Sequence, residues 1–222
     1  MKVIAIHGSP RTIRSLTRKL VGFVLEGAAE EGAETEIIDL AEFRVTPCTA
    51  CEGCMLNGIC VHDDDVPGLL TRMEEADAIV FASPVYIDNI TGQMKIFFDR
   101  LADAIHCQKL TGKFGCSVST TYDSGGSEVV TYLDHMLNYL GVVSVGRVHI
   151  ATQGNAEALD AIAPAAKALG KTLVQAVSDG YSDPVQEAII LDNRSYFRTM
   201  IEENRDFRPD EYERWVRLGW IR

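Results

Sequence analysis

The sequence predicts a doubly wound α/β domain, a parallel five-stranded sheet in the order 2-1-3-4-5 with helices on both faces, followed by a helical extension. Three observations carry this. Short, nearly continuous apolar runs rich in β-branched residues recur along the chain, as strands buried on both faces require. Segments with helical spacing alternate with them, as crossovers between parallel strands demand. After Gly180 the alternation stops, and an aromatic-rich stretch follows. The domain is therefore expected over residues 1–180 and the extension over 181–222.

The first strand is KVIAIH at residues 2–7, broken by Gly8-Ser9-Pro10. From Ser15 to about Glu30, Leu16, Leu20, Phe23, Val24 and Ala28 follow helical spacing, and Gly32 ends that helix. Residues 35–39 form the second strand. Asp63-Asp64-Asp65 before Val66-Pro67 reads as a helix start, with a carboxylate cap and an early proline. Residues 78–82 are the third strand, leading into Ser83-Pro84-Val85-Tyr86. One helix is expected from about residue 91 to 106, with Met94, Phe97, Phe98 and Leu101 on its apolar face. The fourth strand is 114–119, followed by a polar turn over 120–126 and a helix to about Leu140. Residues 142–150 supply the fifth strand, and 155–179 an Ala-rich closing helix. The extension carries Tyr196, Phe197, Phe207, Tyr212, Trp215 and Trp220 on two helices around Pro209. So many large apolar groups favour burial against a second copy of the chain, in a dimer or tetramer.

With 46% hydrophobic and 24% charged residues, the 222-residue chain can bury a full core. Its formal charge of −11 argues against non-specific nucleic-acid binding, which needs a basic face. No stretch approaches a membrane span, and the first apolar run is too short for a signal peptide. A cytoplasmic location is expected, where structural disulfides are disfavoured.

That expectation bears on the cysteines. Four of the six lie at positions 48, 51, 54 and 60, a C-x2-C-x2-C-x5-C loop over residues 47–62. Gathering thiolates is unfavourable unless a metal or a redox bond rewards it. All-cysteine ligation suits a [4Fe–4S] cluster; tetrahedral zinc also takes four cysteines, though usually from two separated knuckles. A redox disulfide is the third option. Elsewhere plainer readings hold. Cys116 alternates within a strand and belongs to the core, Cys107 ends a helix, and His7 is a hydrogen-bonded neighbour of the backbone. Asp99-Arg100 is expected to fix its helix through an ion pair.

In the order 2-1-3-4-5, the loops after strands 1, 3 and 4 meet at the carboxyl edge where the winding reverses. These three loops have unusual chemistry. The first, residues 8–17, brings hydroxyls and arginines to a helix N-terminus, where anions are favoured. It lacks both the dinucleotide and the P-loop glycine patterns. The second offers Pro84, Tyr86 and Asn89, the third Thr120, Thr121, Tyr122 and the Gly125-Gly126 pair. A phosphate socket beside an aromatic wall and a close backbone suits flavin mononucleotide.

GSPR at 8–11 with Ser15 and Thr17, SPVY at 83–86, GQMKIFFDR at 92–100 and GGSE at 125–128 give a specific resemblance over about residues 1–150. The chain resembles the flavodoxin-like NAD(P)H-dependent FMN reductase superfamily and, through its cysteine motif with trailing Asp63-Asp64, the iron–sulfur flavoproteins. The resemblance implies a flavodoxin-like fold. Ser9, Arg11, Ser15, Leu16 and Thr17 would hold the FMN phosphate, and Pro84, Val85, Tyr86 and Asn89 would line the ribityl chain and ring. Ser119, Thr120, Thr121, Tyr122 and Gly126 would cover the pyrimidine side, and Cys48, Cys51, Cys54 and Cys60 would ligate a [4Fe–4S] cluster. The family's Ser-Asn-Thr or Gly-Asn-Thr run sits a residue earlier than Ser15-Leu16-Thr17, so either hydroxyl could meet the phosphate. A flavin-dependent oxidoreductase follows as the expected activity, with NADH, NADPH or ferredoxin as electron donor. An FMN or quinone reductase without a cluster and a non-catalytic electron carrier or sensor are the alternatives.

Overall fold

The computed structural model describes residues 1–221. Its sheet contains β1 (Lys2–His7), β2 (Glu34–Asp39), β3 (Ala78–Pro84), β4 (Phe114–Thr121) and β5 (Val143–Ala151) in the order β2-β1-β3-β4-β5. Every pairing is parallel, so each connection must cross over, and helices cover both faces.

The two faces differ in side-chain size. Val3, Ala5, Ala78, Val80 and Ala82 look towards α1 (Leu16–Glu30) and α7 (Ala158–Asp179). Ile4, Ile6, Ile79 and Phe81 face a bulkier layer of α3 (Val66–Glu75), α4 (Gly92–Asp99) and α6 (Gly126–Tyr139). On the small-residue side α1 and α7 also touch each other backbone to backbone. A side chain at Gly27 would overlap the Lys167 carbonyl, and one at Gly170 the Val24 carbonyl. Lys167 bridges to Glu26 at 2.9 Å and Lys171 to Glu30 at 2.8 Å along the exposed rim of this contact. Such exposed pairs contribute little; the crossing is held by close packing.

The helix expected over residues 91–106 is two helices, α4 and α5 (Ala102–His106). The break follows Arg100, whose guanidinium turns to Asp64 and not to its neighbour Asp99, which pairs with Lys95. A short helix, α2 (Gly53–Asn57), sits inside the cysteine loop. The extension forms α8 (Pro184–Glu203) and α9 (Pro209–Arg217). Phe197, Ile201, Trp215 and Ile221 pack with Cys107 as a third core cluster on the chain's own domain. Gln186 fastens α8 to the sheet by accepting from the Ser144 N–H at 2.8 Å. Tyr196 and Phe207 stay outside this cluster and are exposed.

The α1–α7 contact generates opposite expectations for two glycines. Gly170→Ala should destabilise the chain by about 1–3 kcal/mol, an overpacking cost that exceeds the helix-propensity gain. Gly22→Ala, with open space around its α-carbon, should stabilise by roughly 0.5–1 kcal/mol. Urea unfolding measures both; equal effects would refute the tight crossing.

Candidate functional site

At the carboxyl edge of the sheet the loops after β1, β3 and β4 come together around an open cleft of about 200 Å³. The loops are bonded to each other as well as to the strands. Thr91 donates its hydroxyl to the Gly8 carbonyl at 2.5 Å, and the Val85 N–H donates to the Thr120 carbonyl at 2.9 Å. The hydroxyls of Thr17 and Thr120 are hydrogen-bonded 2.6 Å apart, tying the first turn of α1 to the end of β4.

Ser9, Arg11, Ser15, Leu16 and Thr17 form one end of the cleft, Pro84, Val85 and Tyr86 a second wall, and Thr120, Thr121 and Tyr122 a third. Ser15 caps α1 by accepting from the Arg18 N–H. The amides of Leu16 and Thr17, at the first two helical positions, have no intrahelical acceptor. Three residues of the predicted set lie off the lining. Asn89 closes the β3–α4 turn, its carbonyl accepting from the Tyr86 N–H at 2.8 Å. Gly126 begins α6 beside His149. Ser119 is fully buried, and its hydroxyl has no partner. Thr152 and Gly154, absent from the sequence reading, complete the lining from the loop after β5. Their signal was the position of β5 beside β4, which brings its following turn to the same rim.

The rim carries backbone strain. Thr12, Ile87, Asp88 and Gln153 adopt left-handed conformations with φ of 45°, 49°, 55° and 48°. Ile87 is the costliest, being β-branched, and it is also 97% exposed. Residues held this way persist only where the surroundings fix them, and they collect at ligand sites.

Below the cleft, His7 is fully buried at the end of β1. Its Nδ1 lies 2.6 Å from Asp39 Oδ1 and its Nε2 3.2 Å from Ser15 Oγ. Asp39 also accepts from Arg18 Nε at 2.8 Å. Burial pulls the His7 pKa below its ordinary value, against the pull of Asp39.

The cysteine loop is anchored by a different cluster. Arg100 and Asp64, with side chains 1% and 0% exposed, pair at 2.5 Å. Arg100 also donates to the Thr46 carbonyl at 2.7 Å and to Cys60 Sγ at 3.1 Å. Asp64 accepts from the N–H groups of Thr46 and Val66. The helix start falls where the acidic run and early proline placed it, but the N-cap residue Asp65 makes no side-chain cap and accepts from the Arg44 N–H instead. Asp64, one residue earlier, reaches the Val66 amide and clamps both ends of the loop. Burial opposes the Asp64 charge, but the bonds from Arg100 and the two amides outweigh it and hold this carboxyl well below the usual range. Ala50 and Glu52 are left-handed within the loop. Its outer side packs on α9, where a side chain at Gly58 would overlap the Asp210 carboxylate.

The four thiols differ. Cys48 and Cys51 are exposed, Cys54 and Cys60 partly buried. The Gly53 amide lowers the Cys51 pKa, whereas burial, with Asp103 and Cys60 adding, raises Cys54 to about 11. Among the described residues, no three of His, Cys, Asp or Glu converge as a metal-binding group. Two buried nitrogens in or beside the loop, His62 Nε2 and Arg100 Nε, have no hydrogen-bond partner. No described helix is long and apolar enough to cross a membrane.

Residues 1–156 match the family model described as NADPH-dependent FMN reductase. An iron–sulfur flavoprotein of Archaeoglobus fulgidus is 32% identical over the full length of both chains. Among solved structures, the NAD(P)H:quinone oxidoreductase of Methanothermobacter marburgensis superposes with a TM-score of 0.62 at 18% identity, covering 78% of this chain and 96% of that one. A flavodoxin, WrbA-like protein from Agrobacterium tumefaciens gives 0.56 at 18%, covering 80% and 98%. These two establish a shared flavodoxin-like fold.

Arg100→Met should cost about 3–5 kcal/mol at pH 7, since it leaves Asp64 buried without its cation. The loss should shrink below about pH 4, where a neutral carboxyl tolerates burial. The wild type behaves oppositely: the stabilisation from Asp64 is complete above about pH 4 and is lost as pH falls further towards the depressed folded-state value. Urea unfolding at the two pH values tests this, and an equal loss at both would refute it.

Proposed function

Because the chain belongs to the NADPH-dependent FMN reductase family, in its iron–sulfur flavoprotein subgroup, we propose that its cleft holds FMN and its cysteine loop a [4Fe–4S] cluster. Family membership makes it a flavin-dependent oxidoreductase. The observation that carries the FMN reading is the meeting of three chemically unusual loops in one cleft, with uncapped amides and hydroxyls at the N-terminus of α1.

The residues fit the group. Ser9, Ser15 and Thr17, the Leu16 and Thr17 amides and Arg11 supply the donors that a phosphate monoester needs. Tyr86 and Tyr122 offer flat apolar faces at the mouth, and the backbones of 84–86 and 120–122 offer amides and carbonyls to a ring edge. When bound, FMN accepts two electrons as a hydride and releases them singly, while a cluster carries one at a time. No general acid or base is required of the protein; its part is to bind, orient and exclude water. For the cluster, Cys48, Cys51, Cys54 and Cys60 would be the ligands. The unpaired Arg100 Nε–H would be a donor available to sulfur, which tunes potential. A reduced nicotinamide or ferredoxin would be the donor, and the exposed Tyr196 and Phe207 suit contact with a second copy.

A second reading is an FMN or quinone reductase whose cysteines hold zinc or nothing; the exposed Cys48 and Cys51 are open to either outcome. Protein purified without oxygen separates the two. We expect about one flavin and about four iron and four sulfide per chain, the content of one cubane cluster, and broad absorbance that bleaches on reduction. Cys54→Ser should lose the iron and keep the flavin. A bare flavin spectrum would sink the cluster, and absence of flavin the whole reading. Thr17→Val should weaken FMN binding roughly tenfold or more in a fluorescence titration, the worth of one hydrogen bond to a charged group.

A further inference from the structure

His7 does not line the cleft, yet it is bonded to one group that does. Ser15 lines the cleft, and its hydroxyl has one proton and two lone pairs to distribute. One lone pair takes the Arg18 N–H at 3.3 Å. The Asp39 carboxylate can only accept, so the His7 proton sits on Nδ1, 2.6 Å from Oδ1. In the neutral ring Nε2 is then an acceptor, and the only proton within reach is that of Ser15, whose Oγ is 3.2 Å away. In this state Ser15 turns its proton inward and presents its remaining lone pair to the cleft, which repels an anion.

A proton on Nε2 reverses the arrangement. The imidazolium donates to Asp39 at one nitrogen and to Ser15 at the other, and the serine proton is freed for the cleft. We propose that His7 is a positioning residue which takes up one proton as an anionic phosphate monoester enters beside Ser15, switching the serine hydroxyl from donor to His7 into donor to the phosphate. The proton comes from solvent, and only hydrogen bonds are exchanged. The inference rests on the FMN reading of the cleft.

The charges facing the ring suit such a switch. Asp39 on β2 stabilises the imidazolium and Arg18 on α1 opposes it. On the β3 side the register partner of His7 is Ala82, which is uncharged. With no ligand, burial outweighs Asp39 and keeps the ring neutral. A phosphate dianion adds the negative charge that tips the balance.

The test is calorimetry of FMN binding to anaerobically purified, flavin-stripped protein. Two buffers of different ionisation enthalpy are used above about pH 7, where the FMN phosphate is already a dianion. Expected are a net proton uptake approaching one per FMN, none with riboflavin, and a Kd that rises by up to about tenfold per pH unit. His7→Gln and Ser15→Ala should each flatten that slope; if either fails to fold, the wild-type proton count decides alone. FMN binding without proton uptake, or a slope retained in His7→Gln, overturns the proposal. Failure of the wild-type chain to bind FMN overturns the cleft reading and the proposal together.

Discussion

The closeness with which α1 lies on the sheet and on α7 governs the site. Val3, Ala5, Ala78, Val80 and Ala82 give α1 a shallow bed, and Gly27 and Gly170 let it meet α7 at backbone distance. A helix seated this tightly has little freedom to slide or tilt, because interiors are packed to near-crystalline density. Its N-terminus is thereby fixed at the edge of the cleft, and Ser15, Leu16 and Thr17 with it. The Thr17–Thr120 hydroxyl pair then locks that end to β4. The apolar contact far from the cleft thus sets the placement of the polar groups within it.

The cysteine loop is held on another principle. It buries little apolar surface, leaving Leu56, Ile59 and Val61 exposed, so a desolvated ion pair anchors it. An arginine and an aspartate withdrawn from water stabilise little on balance, but breaking the pair is costly. Arg100 and Asp64 therefore act as a latch with few alternatives: between them they bind Thr46, Val66 and Cys60. The same withdrawal of Arg100 ends α4 and divides a helix that the apolar spacing alone would continue.

Much of this could be read in the sequence, and the exceptions have a common cause. Strands and their crossovers followed from apolar runs and winding rules, and the flavodoxin-like order 2-1-3-4-5 then brought the loops together. Eleven cleft residues were legible because they fall in the loops that the topology brings together: Ser9, Arg11, Ser15, Leu16, Thr17, Pro84, Val85, Tyr86, Thr120, Thr121 and Tyr122. What stayed hidden depends on pairings between distant side chains. Arg100 with Asp64, His7 with Asp39, and Gln186 with Ser144 are contacts that no local pattern encodes. Ser119 shows a different limit: the strand continues through it, and its alternation turns the hydroxyl into the interior and not to the rim.

The cover that α9 places on the cysteine loop has a consequence for biosynthesis. Asp210 lies against Gly58, so the last shield of the loop is made by a segment translated long after it. At ordinary elongation rates the interval is on the order of ten seconds. During it the nascent loop lacks the cover of α9, and the Arg100–Asp64 pair has to hold it alone.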